Sequence, residues 1–308
     1  MINKASSSGP SPDEIIQRLD EIANEPPGRP GDRSPYVRNH LDHENDEVRA
    51  KAVSVMWDYV GQEDVDTMFD LAKNDPCEEV RTSAIKVLGR YMHGGDMDLF
   101  EAEEGPWEDP YTEHSMTMEE YERMRDFLME TFNDREGATI DERRYALESL
   151  SFVARKEVEE MIREAYDSDV TDLKVSALFA MSRTKHSKWA DQIMESLDAE
   201  AYDVRFEAIR AVGECRVEEA HDRMVRLAKS TEDRPLFREA VMAVANLGLQ
   251  QSFSFLDRLD REVRIDVERA FADNAMEEWR FHNMVRKSEE EGEDFGEDDL
   301  PGGFPDAF

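Results

Sequence analysis

A short motif recurs along this chain at intervals of about 31 residues. Its clearest copy spans residues 203–213, where an acid, a Val-Arg pair and several small apolar residues precede a glycine. The slot occupied by the arginine of this copy falls at positions 49, 81, 143, 174, 205, 237 and 264. The steps are 32, 62, 31, 31, 32 and 27 residues, so the longest step equals two repeats. A period of this length is typical of solenoids built from helix pairs.

The pattern predicts an amphipathic helix in each half of a repeat. Within 203–213, apolar residues lie at i, i+4, i+7 and i+8 counted from Val204, which is one face of a helix. A second apolar stripe follows between 217 and 228. Neither stripe can be buried within its own pair, so neighbouring pairs must stack. We therefore expect an all-α, right-handed α-solenoid of about six or seven helix pairs over residues 44–287, after an N-terminal helical cap at 12–43.

Capping signals support the same boundaries. Residues 75–78 read Asp-Pro-Cys-Glu, with an N-cap acid, a proline at the first helical position and a glutamate at the third. Residues 139–142 repeat that logic without the proline. Gly89, Gly213 and Gly248 fall where a glycine often ends a helix, and we expect them to be C-caps.

The Asp-x-x-Val-Arg-x-x-Ala-x-x-Ala-Leu-Gly pattern resembles HEAT repeats, in particular the short subtype of the phycobilin lyases. Residues 75–89 and 201–213 carry it best, and the resemblance covers roughly residues 36–285. It implies a helical-repeat fold. The class includes scaffolds, lyases, a hydroxylase and a DNA glycosylase, so fold similarity alone assigns no site.

The repeated basic slot allows a structural and a functional interpretation. A first-turn cation can pair with acids of the neighbouring repeat and lay its aliphatic stem over the core. Alternatively, the row could bind anions. We favour the structural role for the members of this ladder, which are Arg49, Arg81, Arg143, Lys174, Arg205 and Arg264.

Composition restricts the partners. The chain has 38 basic and 73 acidic residues, a net charge of −35, which argues against binding duplex nucleic acid. It fits a protein partner with a basic surface or peptide, or a high-salt cytoplasm that screens self-repulsion. No apolar run reaches about 18 residues, so we expect no membrane association. Cys77 and Cys215 lie in different repeats, and we expect a reduced, cytoplasmic protein.

One stretch interrupts the repeats. Residues 93–116 are rich in glycine, proline and acids, and we expect them to break the helix and form an insertion. Phe100, Trp107 and Tyr111 lie among its acids and could anchor a partner. Two alternatives stay open, since these aromatics could instead fold back over the protein, and the stretch could be a degenerate extra repeat.

A basic segment between two acidic stretches is a further candidate for partner binding. Residues 173–190 contain no acid, and they carry Arg183, Lys185, Lys188 and Trp189, which could hold an anion or an acidic peptide, including the chain's own tail. The alternative is an ordinary interhelical loop.

The chain termini are expected to lack regular structure. We expect residues 1–11 and the acidic tail at 288–308 to be disordered. Phe304 and Phe308 give the tail the character of a short interaction motif. A purely solubilising tail is the alternative.

The sequence offers no catalytic constellation. His40 and His43 form only a weak helical metal pattern, and the multiple His-Glu pairs of HEAT-like di-iron hydroxylases do not occur. We therefore predict no catalytic residue, no metal and no cofactor. The predicted function is a protein–protein scaffold or adaptor that binds through its concave second-helix face and the insertion. The alternative is a HEAT-like lyase or chaperone acting on a chromophore-bearing protein. The oligomeric state stays open.

Overall fold

The computed structural model describes residues 9–24, 34–104, 116–151, 156–262 and 266–291, with the backbone alone for 94–104, 260, 262, 266–268, 290 and 291. Throughout these ranges the chain forms helices and turns, with no strand. It divides into two compact units, Met1–Ala180 and Met181–Phe308, and each is described by itself. The predicted all-α class is confirmed, since each unit is built from successive packed helices.

The first unit contains nine helices among its described residues, the last of which crosses the unit boundary. They are α1 (Pro12–Asn24), α2 (Ser34–Arg38), α3 (Asp46–Val55), α4 (Val65–Asn74), α5 (Glu78–Glu104), α6 (Met118–Asn133), α7 (Ile140–Leu150), α8 (Lys156–Tyr166) and α9 (Thr171–Thr184).

The first helices of successive repeats pack side by side in this unit. Helix α3 contacts α5, and α5 contacts α7, while the second helices α4 and α6 each pack against the first helix of the next repeat. Helices α1 and α2 cover α3 at the N-terminal end. Helix α6 contributes an apolar stripe to the core, because Tyr121, Met124, Leu128 and Phe132 are all buried.

The capping box at the start of α7 forms as the sequence predicts. The Thr139 hydroxyl accepts from the Glu142 amide at 3.2 Å, and the Glu142 carboxylate accepts from the Thr139 amide at 2.7 Å. Thr117 and Glu120 make the same reciprocal pair at the start of α6. Both boxes satisfy amides that a helix start leaves without partners.

The second unit repeats this arrangement. Its first helices pack in the order α11, α13, α15, while α10 packs on α11, α12 on α13 and α14 on α15. The helices wholly within it are α10 (Ala190–Ser196), α11 (Tyr202–Glu214), α12 (His221–Ser230), α13 (Arg234–Asn246), α14 (Phe253–Glu262) and α15 (Asp266–Glu291).

The glycine caps are wrong at two of three positions. Gly89 lies inside α5 and Gly213 inside α11, and neither has a left-handed backbone. Both mark close helix approaches: a Cβ on Gly89 would lie 2.3 Å from the Ser149 Cβ, and one on Gly213 would lie 3.1 Å from the Ala243 Cα. Only Gly248, with φ of 61°, has the conformation of a C-cap glycine.

Two other boundaries differ from expectation. Helix α5 does not break at 93 but continues through the adjacent Gly94 and Gly95 to Glu104, because each glycine costs a helix only about 1 kcal/mol relative to alanine. Helix α15 continues past Ser288 to Glu291, where we expected disorder. Helix α5 packs directly on α7.

Candidate partner-binding surfaces

Three arginines of the repeated basic slot make the same backbone contact. Arg49 donates to the carbonyl oxygens of residues 43 and 44 at 2.8 and 3.3 Å, Arg81 to those of 75 and 76 at 2.8 and 3.2 Å, and Arg205 to those of 199 and 200, both at 2.7 Å. In each case the two carbonyl groups belong to the residues six and five positions before the arginine. The guanidinium thereby satisfies polar groups in the turn that precedes its own helix.

Two of these arginines also bind an acid of the following repeat. Arg49 binds both oxygens of Asp75 at 2.8 and 2.9 Å, and both side chains are largely buried. Burial acts to raise the pKa of Asp75, but hydrogen bonds from Arg49 and the Cys77 amide hold that pKa below its ordinary value. Arg81 pairs with the buried Glu142. These contacts agree with a structural role for the slot.

The remaining members vary in their contacts. Arg143 donates to the Phe132 carbonyl at 2.8 Å, and its guanidinium lies 5.3 Å from the centre of that phenyl ring. Lys174 lies over Tyr166 at 5.1 Å. Arg264 lies outside the described residues.

A groove of about 960 Å³ runs across the first helices of the first unit. Residues of α1, α3, α5 and α7 line it, together with Cys77 just before α5. The expected binding surface was instead that of the second helices. The residues that line the groove across the first helices are Ile16, Glu47, Ala50, Lys51, Ser54, Cys77, Glu78, Glu79, Thr82, Ser83, Lys86, Asp141 and Tyr145.

The cations of this groove already have intramolecular partners. Lys51 pairs with Asp20 of α1. The Lys86 ammonium lies 3.6 Å from the centre of the Tyr145 ring, and the Arg144 guanidinium lies 4.6 Å from it. The half-buried Tyr145 ring therefore presents faces that attract cations.

Glu148 adds a shielded carboxylate one helical turn beyond Tyr145 on α7. Burial raises its pKa, against the opposing effects of the Ser176 hydroxyl, Arg144 and Lys86. The Ser176 hydroxyl donates to the carboxylate, and Arg144 donates to the Ser176 oxygen at 3.3 Å. This network fixes the α7 side chains next to the groove.

A smaller cavity of about 470 Å³ lies on the second-helix side of the same unit. Residues of α4 and α6 and of the turn before α7 contribute to it, including Lys73, Phe127 and Asp134. The Lys73 ammonium lies 5.0 Å from the centre of the Phe127 ring. Because Arg81 and Glu142 also line this cavity and pair with each other, part of its charge is already neutralised.

The candidate contact residues in 173–190 differ in how far they are buried. Trp189 is fully buried, and its indole N–H donates to the Thr184 hydroxyl at 3.0 Å, so its assignment to a partner surface is wrong. An apolar ring of that size stabilises the fold most when it leaves water. Lys185 is exposed, while Lys188 and Arg183 are half-buried. Burial lowers the pKa of Arg183, an effect that Glu214 opposes.

The second unit carries half-buried glutamates on its first helices. Burial raises the pKa of Glu239, against Arg210 and Arg238, and the pKa of Glu278, to which Glu214 also contributes. Arg210 lies 3.7 Å from Glu207 on the same helix. Side chains of both charges thus occur on the first helices of this unit, as they do in the groove of the first unit.

Two groups with strongly shifted pKa values accompany these glutamates. Burial, with Glu214, raises the pKa of the Cys215 thiol to about 12, and the thiol donates to the Met181 carbonyl at 3.2 Å. Burial, with Arg216 and Lys185, lowers the pKa of His282 to about 4. At neutral pH both groups are therefore uncharged, which suits structural side chains and not a thiolate nucleophile.

Several predicted contact residues lie outside the described part of the chain. They are Trp107 and Tyr111 of the insertion and Phe304 and Phe308 of the tail. Phe100 lies on the described backbone of α5, near its end. These assignments stay predictions.

Sequence reasoning missed Lys51, Lys86 and Tyr145. The repeat register held the signal, since Lys51 and Tyr145 are both two positions after the basic slot and Lys86 is five positions after it. Residues at these offsets project from the first helix away from its buried stripe. Among the described residues no group of three or more His, Cys, Asp or Glu side chains is arranged to hold a metal ion. None of the described helices has the length and apolarity to cross a bilayer.

Comparison with known proteins gives structural neighbours only. The chain matches no protein-family model and no curated protein. Similar solved structures include the CpcE–CpcF complex of phycocyanin lyase from Nostoc, at 14% identity and a TM-score of 0.48, covering 90% of this chain and 98% of that one. A designed armadillo repeat protein has 14% identity and a TM-score of 0.41, covering 70% and 99%. Human deoxyhypusine hydroxylase has 13% identity and a TM-score of 0.35, covering 87% and 97%. The fold class therefore rests on the helix packing itself.

Proposed function

We propose that this protein is a binding scaffold whose first-unit groove receives a basic segment of a partner protein. The single observation that carries the proposal is the groove of about 960 Å³ across α1, α3, α5 and α7. That volume is within the usual range of ligand clefts, roughly 300–1,000 Å³. Its length across several repeats suits a peptide segment.

The charge of the lining favours a basic segment. Four acids line the groove, Glu47, Glu78, Glu79 and Asp141, against the two lysines. Lys51 pairs with Asp20 and Lys86 lies on Tyr145, so neither ammonium leaves its positive charge uncompensated. The net charge of −35 would speed the approach of a basic partner and disfavour acidic ones.

Tyr145 provides the apolar anchor of the proposed site. It is half-buried, and its ring binds cations from the chain itself at 3.6 and 4.6 Å. The aliphatic stem of a partner arginine or lysine can pack against the ring while its charged end reaches the carboxylates that line the groove. Tyrosine is enriched among the residues that dominate interface energies. Phe100, Trp107 and Tyr111 of the insertion enter the proposal only as sequence predictions.

Selection of displayed random peptides against the full-length protein tests the proposal. We expect enriched peptides to carry net positive charge and to bind at least tenfold more weakly to the Glu78→Lys/Glu79→Lys variant. The matched control is Glu157→Lys/Glu160→Lys, which reverses two exposed acids at the start of α8 and makes the same change in charge. Tyr145→Ala should also weaken binding. Enrichment of acidic or neutral peptides, or equal loss in both double variants, would contradict the proposal.

A further inference from the structure

Two cations of the first unit lie on the ring of Tyr145, and one of them is held by several polar partners. The Arg144 guanidinium lies 4.6 Å from the centre of that ring. It donates to the Ser176 hydroxyl at 3.3 Å and to the Asp141 carboxylate at 3.4 Å, and it lies 3.7 Å from the Glu148 carboxylate. The fully buried Ser176 hydroxyl donates in turn to Glu148. Arg144 is therefore fixed by charge and hydrogen bonds.

The second cation, Lys86 of α5, has no comparable attachment. Its ammonium lies 3.6 Å from the centre of the Tyr145 ring, which places it over the ring face. It makes no hydrogen bond and no ion pair with any residue that the structure describes. A cation over an exposed aromatic face changes an equilibrium constant only about two- to fivefold. Since the lysine stem is also flexible, Lys86 is the cation that can leave the ring at small cost.

Only the weakly held cation faces the groove across the first helices. Lys86 and Tyr145 both line that groove, whereas Arg144 does not. The ring face that Lys86 covers is therefore reached from the groove. The carboxylates of Glu79 and Asp141 line the same groove, so a basic side chain that arrives there meets both an aromatic surface and negative charge.

We propose that the face of Tyr145 beneath Lys86 is the specificity subsite of the groove, and that Lys86 covers this face until a partner lysine or arginine replaces it. This inference rests on the proposed function, because it names the point at which the basic segment is recognised. Arg144 stays in place during the exchange. The incoming stem covers the ring that Lys86 gives up, so the exchange costs little. A segment without a basic side chain cannot make this exchange and leaves Lys86 on the ring.

The position of Lys86 in the free protein is tested by NMR. The lysines of the full-length protein are converted to ¹³C-labelled dimethyl-lysines, which keep their positive charge, and the Lys86 signal is assigned by its absence from Lys86→Ala. A ring face shields groups that lie over it, so the signal should be upfield of its position in Tyr145→Leu. Lys51 is the control, because it lines the same groove but pairs with Asp20, and its signal should not respond to Tyr145→Leu. A Lys86 signal at the same position in wild type and Tyr145→Leu overturns the proposal.

Displacement of Lys86 is tested with tri-arginine amide as the probe. We expect the Lys86 signal to move to its Tyr145→Leu position as the probe binds, and a signal that stays shielded at the highest probe concentration overturns the subsite. The same titration on Glu78→Lys/Glu79→Lys separates the two proposals, since this reversal should raise the required probe concentration at least tenfold if the groove receives basic segments. Displacement that is insensitive to the reversal contradicts the proposed function and leaves the subsite standing.

Two alanine variants test the subsite through affinity. Lys86→Ala and Lys51→Ala each remove one positive charge from the groove, and Lys51→Ala also releases Asp20 from its ion pair. On charge alone, Lys51→Ala should therefore strengthen binding at least as much as Lys86→Ala. Because only Lys86→Ala also clears the ring, we expect it to bind fluorescently labelled tri-arginine amide about two- to fivefold more tightly than Lys51→Ala does. Equal affinities, or tighter binding by Lys51→Ala, overturn the subsite.

Discussion

Replacing Arg49 by methionine tests whether the repeated basic slot stabilises the fold. Arg49 donates to both oxygens of Asp75 at 2.8 and 2.9 Å and to the His43 carbonyl at 2.8 Å. Its side chain is 11% exposed and that of Asp75 is 5% exposed. Methionine fills most of the volume of the arginine stem but makes none of these bonds.

The expected cost follows from the burial of Asp75. Removing one partner of a buried ion pair costs about 3–5 kcal/mol, because the other charge stays behind without compensation. Asp75 retains a hydrogen bond from the Cys77 amide at 2.9 Å, so we expect a value near the lower end of that range. The double variant Arg49→Met/Asp75→Asn should regain part of the loss, since no buried charge remains.

The free energy of unfolding is measured by urea denaturation at fixed KCl concentration. Lys51→Met is the control, because its pair with Asp20 is far more exposed and surface pairs contribute roughly 0–1 kcal/mol. Equal losses for Arg49→Met and Lys51→Met would refute the structural interpretation and favour an anion-binding role.

The same pair predicts a pH dependence. The folded pKa of Asp75 lies below its ordinary value, so its ionisation stabilises the fold above the unfolded pKa of about 3.9. This stabilisation is lost as the pH falls through the folded pKa. The difference in unfolding free energy between the wild type and Arg49→Met should therefore shrink below about pH 4.

Further predictions concern packing, protonation, salt and ligand binding. Gly89→Ala should lower the free energy of unfolding by about 1–3 kcal/mol despite the better helix propensity of alanine. Gly213→Ala should lower it by less, because the neighbouring helix is farther away. Urea denaturation measures both effects, and Ser149→Gly should restore the stability of the Gly89→Ala variant. The wild type should lose stability as the pH falls from about 6.5 to 4, because the unfolded chain protonates His282 first; His282→Gln should remove this slope. The melting temperature should rise between 0.1 and 2 M KCl as repulsion within a chain of net charge −35 is screened, and a constant value would contradict this. A tetrapyrrole mixed with micromolar protein should show no change in absorbance, because the groove is lined mainly by charged and hydroxyl side chains; a spectral shift would favour the lyase alternative.

The spacing of apolar residues predicted the helices well, because a helix can bury one face only if apolar residues recur along that face. The stripe at 204–212 could be identified from spacing alone, and it is buried on the expected face. The capping box at Thr139 was equally readable, since its hydrogen bonds join residues only three positions apart. Local interactions of this kind need no knowledge of the neighbouring repeat. The capping signal expected at 75–78 is wrong, because α5 begins at Glu78 and not at Pro76.

Properties that depend on the neighbouring element could not be predicted. The glycine of the motif looked like a helix end, but Gly89 and Gly213 are small because the next first helix approaches them. Trp189 looked like an exposed anchor within a basic segment, yet its partner Thr184 and the surrounding core bury it. In both cases the sequence gives the residue type but not what packs against it.

The repeat register now separates positions that maintain the fold from positions open to function. The basic slot satisfies backbone carbonyls, and eight residues later Gly89 and Gly213 lie where another helix approaches closely. Substitutions at these slots should act through stability. Three other slots carry no such requirement. The slot two residues after the basic one holds Lys51 and Tyr145, the slot five residues after it holds Lys86, and the slot eleven residues after it holds Lys185 and Arg216. The proposed groove uses the first of these slots through Tyr145. Its acids Glu47, Glu79 and Asp141 lie two residues before the basic slot, in the first turn of each first helix, so positions on either side of the structural arginine are open to contacts with a partner.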